Sequence, residues 1–164
     1  MSIPNHIAKL REKTGHDLML LPGVCALVLN DKGEILLQRR ADSGRWGLPG
    51  GIMEPGEVPA TAVVREVFEE TGVTVVPERI TGVYTTPLLT YSNGDRAQYV
   101  IVGFACRPVG GVARVNDDES LEVAYFPLDA LPELHPAHRA RIKDACAGGA
   151  PWFAPPGASV SLVE

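Results

Sequence analysis

A chain of 164 residues, 45% hydrophobic and 21% charged, has the balance of an ordinary globular domain with a core of normal size. Its formal net charge of −5 argues against a nucleic-acid partner, which needs a basic surface, but leaves open small nucleotides held through metal ions. No apolar run reaches the roughly 18 residues of a membrane span, and residues 1–17 lack the apolar core of a signal peptide, so no membrane partner and a cytoplasmic location are expected.

In chain order, residues 7–13 read as a short helix ended by Gly15, inside an N-terminal extension of residues 1–21. Residues 24–29 (Val-Cys-Ala-Leu-Val-Leu) are apolar without alternation, as a strand in mid-sheet with both faces buried would be. Asp31-Lys32-Gly33 is a turn, and residues 35–39 are the returning strand. A stretch dominated by Gly, Pro and Trp covers residues 43–56. A helix follows over residues 59–71, with Pro59 suited to the first position and Gly72 to the left-handed residue past the end. Strands over 83–91 and 97–106 flank Ser92-Asn93-Gly94-Asp95, where Asn-Gly is a strong hairpin signal. Residues 122–126 form another strand, and 129–134 and 136–147 two short helices. Residues 148–164 read as a loosely packed tail rich in Pro and Gly. Cys25 and Cys106 lie in apolar runs and read as buried hydrophobes; with Cys146 they make no metal spacing. The pattern predicts one domain over residues 1–147, an α/β or α+β fold with helices packed on a mixed sheet.

The helix over 59–71 carries the chemistry. At 100° per residue, Ala60, Val63, Val64, Val67 and Thr71 fall on one stripe that should meet the sheet. Glu66, Glu69 and Glu70 fall on a second stripe and are related by i, i+3 and i, i+4, so their carboxylates converge. Like charges at this spacing cost about 0.2–0.5 kcal/mol per pair, and Arg65 alone does not neutralise them. Glu54 and Glu57 add to the negative field from just upstream. A hard divalent cation would neutralise it, so the platform suits Mg²⁺ or Mn²⁺. Leu48-Pro49-Gly50-Gly51 brings free backbone towards the helix, where a glycine carbonyl can approach a metal closely. The plain alternative is a solvated acidic face.

Residues 51–73 resemble the Nudix box in full. Gly51, Glu57, Arg65, Glu66, Glu69, Glu70 and Gly72 fill its seven fixed positions, and Val67 and Val73 its two apolar ones. Chance would produce such a match on the order of once in 10⁸ starting points at ordinary residue frequencies. The resemblance implies an αβα sandwich around a mixed β-sheet. It implies that Glu66, Glu69 and Glu70, with the Gly51 carbonyl, bind one to three divalent ions. In that family Arg65 would orient the glutamates, Glu57 would support them from behind, and Glu66 would help activate the attacking water. The implied reaction is hydrolysis of a pyrophosphate bond in a nucleoside diphosphate linked to another group, with no covalent intermediate.

Other candidates surround this core. Arg39 and Arg40 end a strand before the glycine loop; alternation turns one of them to the substrate phosphates, and Arg39 is the expected one. Glu119 and Glu122 stand where the resemblance allows a further metal ligand or the general base, against an acidic loop in solvent. Trp46, Tyr84, Tyr91 and Tyr99 are aromatic candidates for stacking on a base, against ordinary core packing. His135 and His138 read as surface or capping residues. Pro87 lies near a proline found in some ADP-ribose-cleaving relatives, while modified nucleoside triphosphates fit the box equally well. The competing class is a nucleotide-binding module without catalysis, disfavoured because every box glutamate is present. Several relatives form dimers, so a homodimer is compatible with the sequence, and no feature of it chooses.

Overall fold

The computed structural model describes residues 4–160. Its elements are α1 (Asn5–Thr14), β1 (Met19–Val28), β2 (Glu34–Arg40), β3 (Trp46–Gly47), α2 (Pro59–Thr71), β4 (Val73–Thr85), β5 (Leu89–Thr90), β6 (Arg96–Gly111), β7 (Ser120–Pro127), α3 (Pro136–Ala147) and β8 (Trp152–Phe153). One sheet runs β1-β6-β4-β8, with β5 also on β6, and the second runs β3-β2-β7. β1 is parallel to β6; β4 and β6 are antiparallel, as are all pairs of the second sheet.

The absence of alternation in β1 has a direct cause. Val24, Ala26 and Val28 pack into a core with Val63 and Val67 of α2, while Cys25 and Leu27 pack with Ile142 and Ala145 of α3. β2 repeats the division, with Leu36 in the first core and Ile35 and Leu37 in the second. Both faces of these strands are therefore roofed by a helix, and residues 24–28 and 35–37 are apolar without a break. This is the αβα sandwich. A smaller third core joins Ile7 of α1 to Leu21 and Ala97. Among the described residues no helix is long and apolar enough to cross a membrane.

Several expectations need correction. β1 is not in mid-sheet: among the described residues β6 is its only strand neighbour, and its other edge is closed by loop backbone, through Val24 N–H to Gly51 O and Ala26 N–H to Pro49 O. The turn after β1 does not fold β2 back beside it. A single bridge, Leu29 to Ile35, joins them before β2 enters the second sheet. The strand expected over 83–91 breaks at Pro87, which lacks an N–H for the ladder, into the end of β4 and the short β5. Residues 129–134 form no helix; Leu131 precedes Pro132, which disfavours the helical region, and Leu134 instead bridges to Trp46. The tail is not wholly loose, since β8 pairs with β4 at Gly82 and Val83 and Trp152 stacks on Tyr84 at 5.1 Å. Residues 161–164 of that predicted tail, and 1–3 of the N-terminal extension, lie outside the described residues.

Candidate active site

α2 begins without a side-chain cap at Val58 and ends on Gly72 in the left-handed region, φ +69°, whose N–H closes on Phe68 O. Its buried residues are Ala62, Val63, Val67, Glu70 and Thr71. The inward stripe is thus rotated from the one expected: Ala60 is exposed, Val64 is half-buried, and Glu70 joins the buried set. The rotation follows from the two sheets, which wrap α2 on more than one side and enclose Glu70 where β2, β7 and the glycine loop meet.

Arg65 organises the carboxylates. Its Nε donates to Glu57 Oε1 at 2.7 Å and its Nη2 to Glu57 Oε2 at 3.0 Å and Ile52 O at 3.1 Å. Its Nη1 donates to Glu66 Oε1 at 2.8 Å and Glu69 Oε2 at 2.9 Å. The guanidinium thus ties the loop to three glutamates while engaging one oxygen each of Glu66 and Glu69. Glu57 is held below the usual carboxylate range, chiefly by its hydrogen bonds from Arg65. It also accepts the Glu54 N–H at 2.9 Å, which fixes the loop entering α2.

The other carboxyls are shifted upward. Burial raises Glu66 to about 7; Arg65 opposes this, while Glu69 and Glu119 add to it. Burial raises Glu70 to about 8, with the Gln38 amide and the Gly50 N–H opposing and Glu66 adding. Glu70 is 2% exposed, and its Oε2 accepts the Gly50 N–H at 2.8 Å. Glu69 is the solvent-facing member of the three.

The glycine loop reaches these carboxylates because side chains are excluded from it. Gly50 has φ +148°, and a Cβ there would run into the Val24 carbonyl. A Cβ on Gly51 would stand 2.5 Å from Glu66 Oε2. The loop is further held by His138 of α3, whose Nδ1 accepts the Leu48 N–H at 3.2 Å while its ring lies against Gly47. Burial, with Arg141, His135 and Arg40 nearby, pushes His138 down to about 3, so it stays a neutral acceptor. His135 caps α3, its Nδ1 accepting the Ala137 N–H at 3.2 Å, as expected of a capping residue.

The flanking candidates separate. Arg39 is ion-paired with Glu122 at 3.0 Å, across the β2–β7 pairing, and so is not turned to the glutamates. Arg40 is the arginine of the pair beside them: burial lowers its pKa, but Asp42, paired with it at 2.8 Å, and then Glu70 and Glu119 raise it on balance. Of the two late acids, Glu119 is the one whose charge is felt at Glu66. Trp46 packs edge-on to Phe126 at 4.8 Å, and Tyr84 is buried under Trp152, so neither is presented to a ligand. Tyr91 and Tyr99 share a 2.8 Å hydroxyl–hydroxyl hydrogen bond.

His138, read as a surface or capping residue, instead packs its ring against the glycine loop, and two further residues escaped the sequence reading. Gln38 is fully buried on β2, its Oε1 accepting from Ser120 Oγ, and its Nε2 has no full hydrogen bond although it lies beside Glu70. A polar residue closing the apolar run Ile35-Leu36-Leu37 was the only signal for it. Gly50, as donor to Glu70, carried no signal beyond its place in the loop.

Among the described residues no group of three acidic, histidine or cysteine side chains stands as a finished metal cage. The donor set nevertheless fits a hard cation. Oxygen donors converge from α2 and the loop, and the Gly51 carbonyl keeps a second lone pair beyond the Val24 N–H it already accepts. The orphaned Gln38 Nε2 beside Glu70 suits that carboxyl in its ionised form, the form a cation favours.

Known proteins resemble this chain in sequence and fold. The NUDIX domain model matches residues 19–146, from β1 to the last turn of α3. A MutT-like protein of Streptomyces ambofaciens is 40% identical over 129 residues, 78% of each chain. An ADP-ribose pyrophosphatase of Methanocaldococcus jannaschii is 33% identical over 142 residues, covering 84% of this chain and 81% of its own. A Nudix hydrolase structure from Nitrosomonas europaea superposes with a TM-score of 0.63 at 29% identity, covering 79% of this chain and 90% of that one. With the whole box in place across the glycine loop and α2, and the family model matching residues 19–146, the chain belongs to the Nudix hydrolases.

Proposed function

We propose that this enzyme hydrolyses a pyrophosphate bond in a nucleoside diphosphate linked to another group, with Mg²⁺ or Mn²⁺ as cofactor. The observation that carries this reading is that one guanidinium gathers Glu57, Glu66 and Glu69 while the glycine loop lies against Glu66 at Gly51 and donates to Glu70 through the Gly50 N–H. Glu66, Glu69, Glu70 and Gly51 O would hold the ions, which when bound offset charge on the phosphate oxygens and lower the pKa of the attacking water. Arg65 and Glu57 fix the carboxylates so that little reorganisation accompanies the reaction. Glu66, partly enclosed and hydrogen-bonded to Arg65, is the group assigned to take a proton from water, with Glu119, whose charge is felt at Glu66, beside it. Arg40 supplies positive charge on the β2 side, where an anionic substrate would approach. A relative named as an ADP-ribose pyrophosphatase supports a nucleoside diphosphate sugar as one substrate class, and nucleoside triphosphates fit the same chemistry.

The test is a product-chromatography screen with each metal against ADP-ribose, NADH, diadenosine polyphosphates, sugar nucleotides, and normal and oxidised nucleoside triphosphates. Cleavage of one class above the rest names the substrate. Folded protein that cleaves none points to a nucleotide-binding module. Glu69→Gln and Glu70→Gln should each lower kcat by about 10²-fold or more with the fold retained. Wild-type rates in either would remove the glutamates from the mechanism.

A further inference from the structure

Side chains on β2 alternate between the two helices. Leu36 packs in the core under α2, and Ile35 and Leu37 in the core under α3, so Gln38 returns to the α2 side. It is fully buried in the second sheet, paired with Gly47 of β3 and Val123 of β7. An apolar side chain of the same length would fill this place without enclosing a polar group. Glutamine brings an amide whose Nε2 has no full hydrogen bond, and an unsatisfied buried donor weakens the folded state.

The setting of that amide is not free. Ser120 Oγ donates to Gln38 Oε1 and lies 3.3 Å from the Glu70 carbonyl, so β7 holds both the strand side chain and the last turn of α2. With Oε1 taken by Ser120, Nε2 is the end of the amide left for Glu70, beside which it lies. The reverse setting would bring Oε1 against the carboxylate, acceptor to acceptor. The glycine loop engages Glu70 separately, through the Gly50 N–H to Oε2 at 2.8 Å. Glu70 thus has one engaged donor from the loop and one unengaged donor from β2.

We propose that Gln38 is a positioning residue for Glu70: Ser120 sets its amide so that Nε2 is kept for the Glu70 carboxylate and orients it to receive a divalent cation. The inference rests on the reading of Glu70 as a metal ligand. It extends the metal site into the second sheet, to two side chains outside the box.

Mn²⁺ alone is the probe, titrated by calorimetry into wild type, Gln38→Met and Ser120→Ala, with thermal melts of each protein in chelator. Gln38→Met keeps the length and removes the donor. It should weaken Mn²⁺ binding about tenfold or more, the loss typical when an outer partner of a metal ligand is removed. Its melting temperature in chelator should equal or exceed that of wild type, because an orphaned donor has been taken out of the core. A residue that merely filled the core would show the opposite pattern, a lower melting temperature with Mn²⁺ affinity retained. Ser120→Ala should weaken Mn²⁺ binding by more than about twofold. Added to Gln38→Met it should change little further, because Ser120 acts through Gln38. Ser120→Ala carries the test if Gln38→Met does not fold.

Mn²⁺ affinity within about twofold of wild type in the folded variant overturns the inference. So does a loss of affinity that comes with a lower melting temperature in chelator, or no Mn²⁺ binding by the wild type. Unchanged Mn²⁺ affinity beside metal-dependent hydrolysis by the wild type would remove Gln38 and leave the hydrolase. Gln38-dependent Mn²⁺ binding in a protein that cleaves no nucleotide of the panel would leave Gln38 and remove the hydrolase.

Discussion

Arg65 uses all five of its N–H donors, on Glu57 twice, Glu66, Glu69 and the Ile52 carbonyl. Lysine offers one charge and no planar fork, so it cannot hold both the loop and the helix carboxylates. Arg65→Lys should therefore reduce kcat by roughly 10- to 100-fold, the usual loss when a group orienting metal ligands is removed. Steady-state kinetics on the substrate found in the screen decide this; an Arg65→Lys enzyme at full rate would show that charge alone suffices. His138 makes a second prediction at this scale. Its folded pKa lies near 3 against an ordinary 6.5, so between these values the unfolded chain binds a proton that the folded chain refuses. Stability conferred by His138 is intact above pH 6.5 and declines as the pH falls through that window, by up to ~1.4 kcal/mol per unit. His138→Gln, which keeps an acceptor for the Leu48 N–H, should flatten that part of the profile in urea titrations between pH 4 and 7. Parallel profiles in wild type and variant would count against it.

The helix α2 shows which elements were legible in the sequence and which were not. Its limits followed from Pro59 and Gly72, and the meeting of its glutamates from their spacing alone, because helix geometry is local. The burial of Glu70 was not legible, since the direction in which a helix face is turned depends on what surrounds it, and here two sheets do. The partners of β1 and β2 were hidden for a related reason: a turn at Asp31-Lys32-Gly33 tells that the chain reverses, not which strand receives it. Arg39 and Arg40 were one residue apart in the choice, and the register of β2 against β7, which irregularly shifts between them, settled which side each faces. Gly72 carries the prediction for this element. With φ +69° and a Cβ that would lie 3.1 Å from Val112 O, Gly72→Ala should cost about 1–2 kcal/mol. Thermal melts measure it, and an unchanged transition would mean that the C-terminus of α2 relaxes freely.

For the molecule as a whole, enclosing Glu66 and Glu70 beside Glu69 is a cost that a bound cation would offset. Millimolar Mg²⁺ or Mn²⁺ should raise the melting temperature, by RT ln(1 + [L]/Kd) in free energy, and Glu70→Gln should diminish the rise. No shift in the wild type with saturating metal would argue against a specific ion site. The strand pairing has a further consequence, for assembly in time. Met19 pairs with Ala97 and Glu34 with Pro127, so each sheet joins segments about eighty to ninety residues apart, and α2 lies in the interval of both. During synthesis the box helix leaves the ribosome long before either sheet can close over it. Until β7 emerges, the enclosure of Glu70 is incomplete, and the apolar faces of β1 and β2 wait for partners. Native contacts of such separation are slow to form, and the nascent chain must pass through a prolonged interval of exposed strand before the hydrolase site is complete.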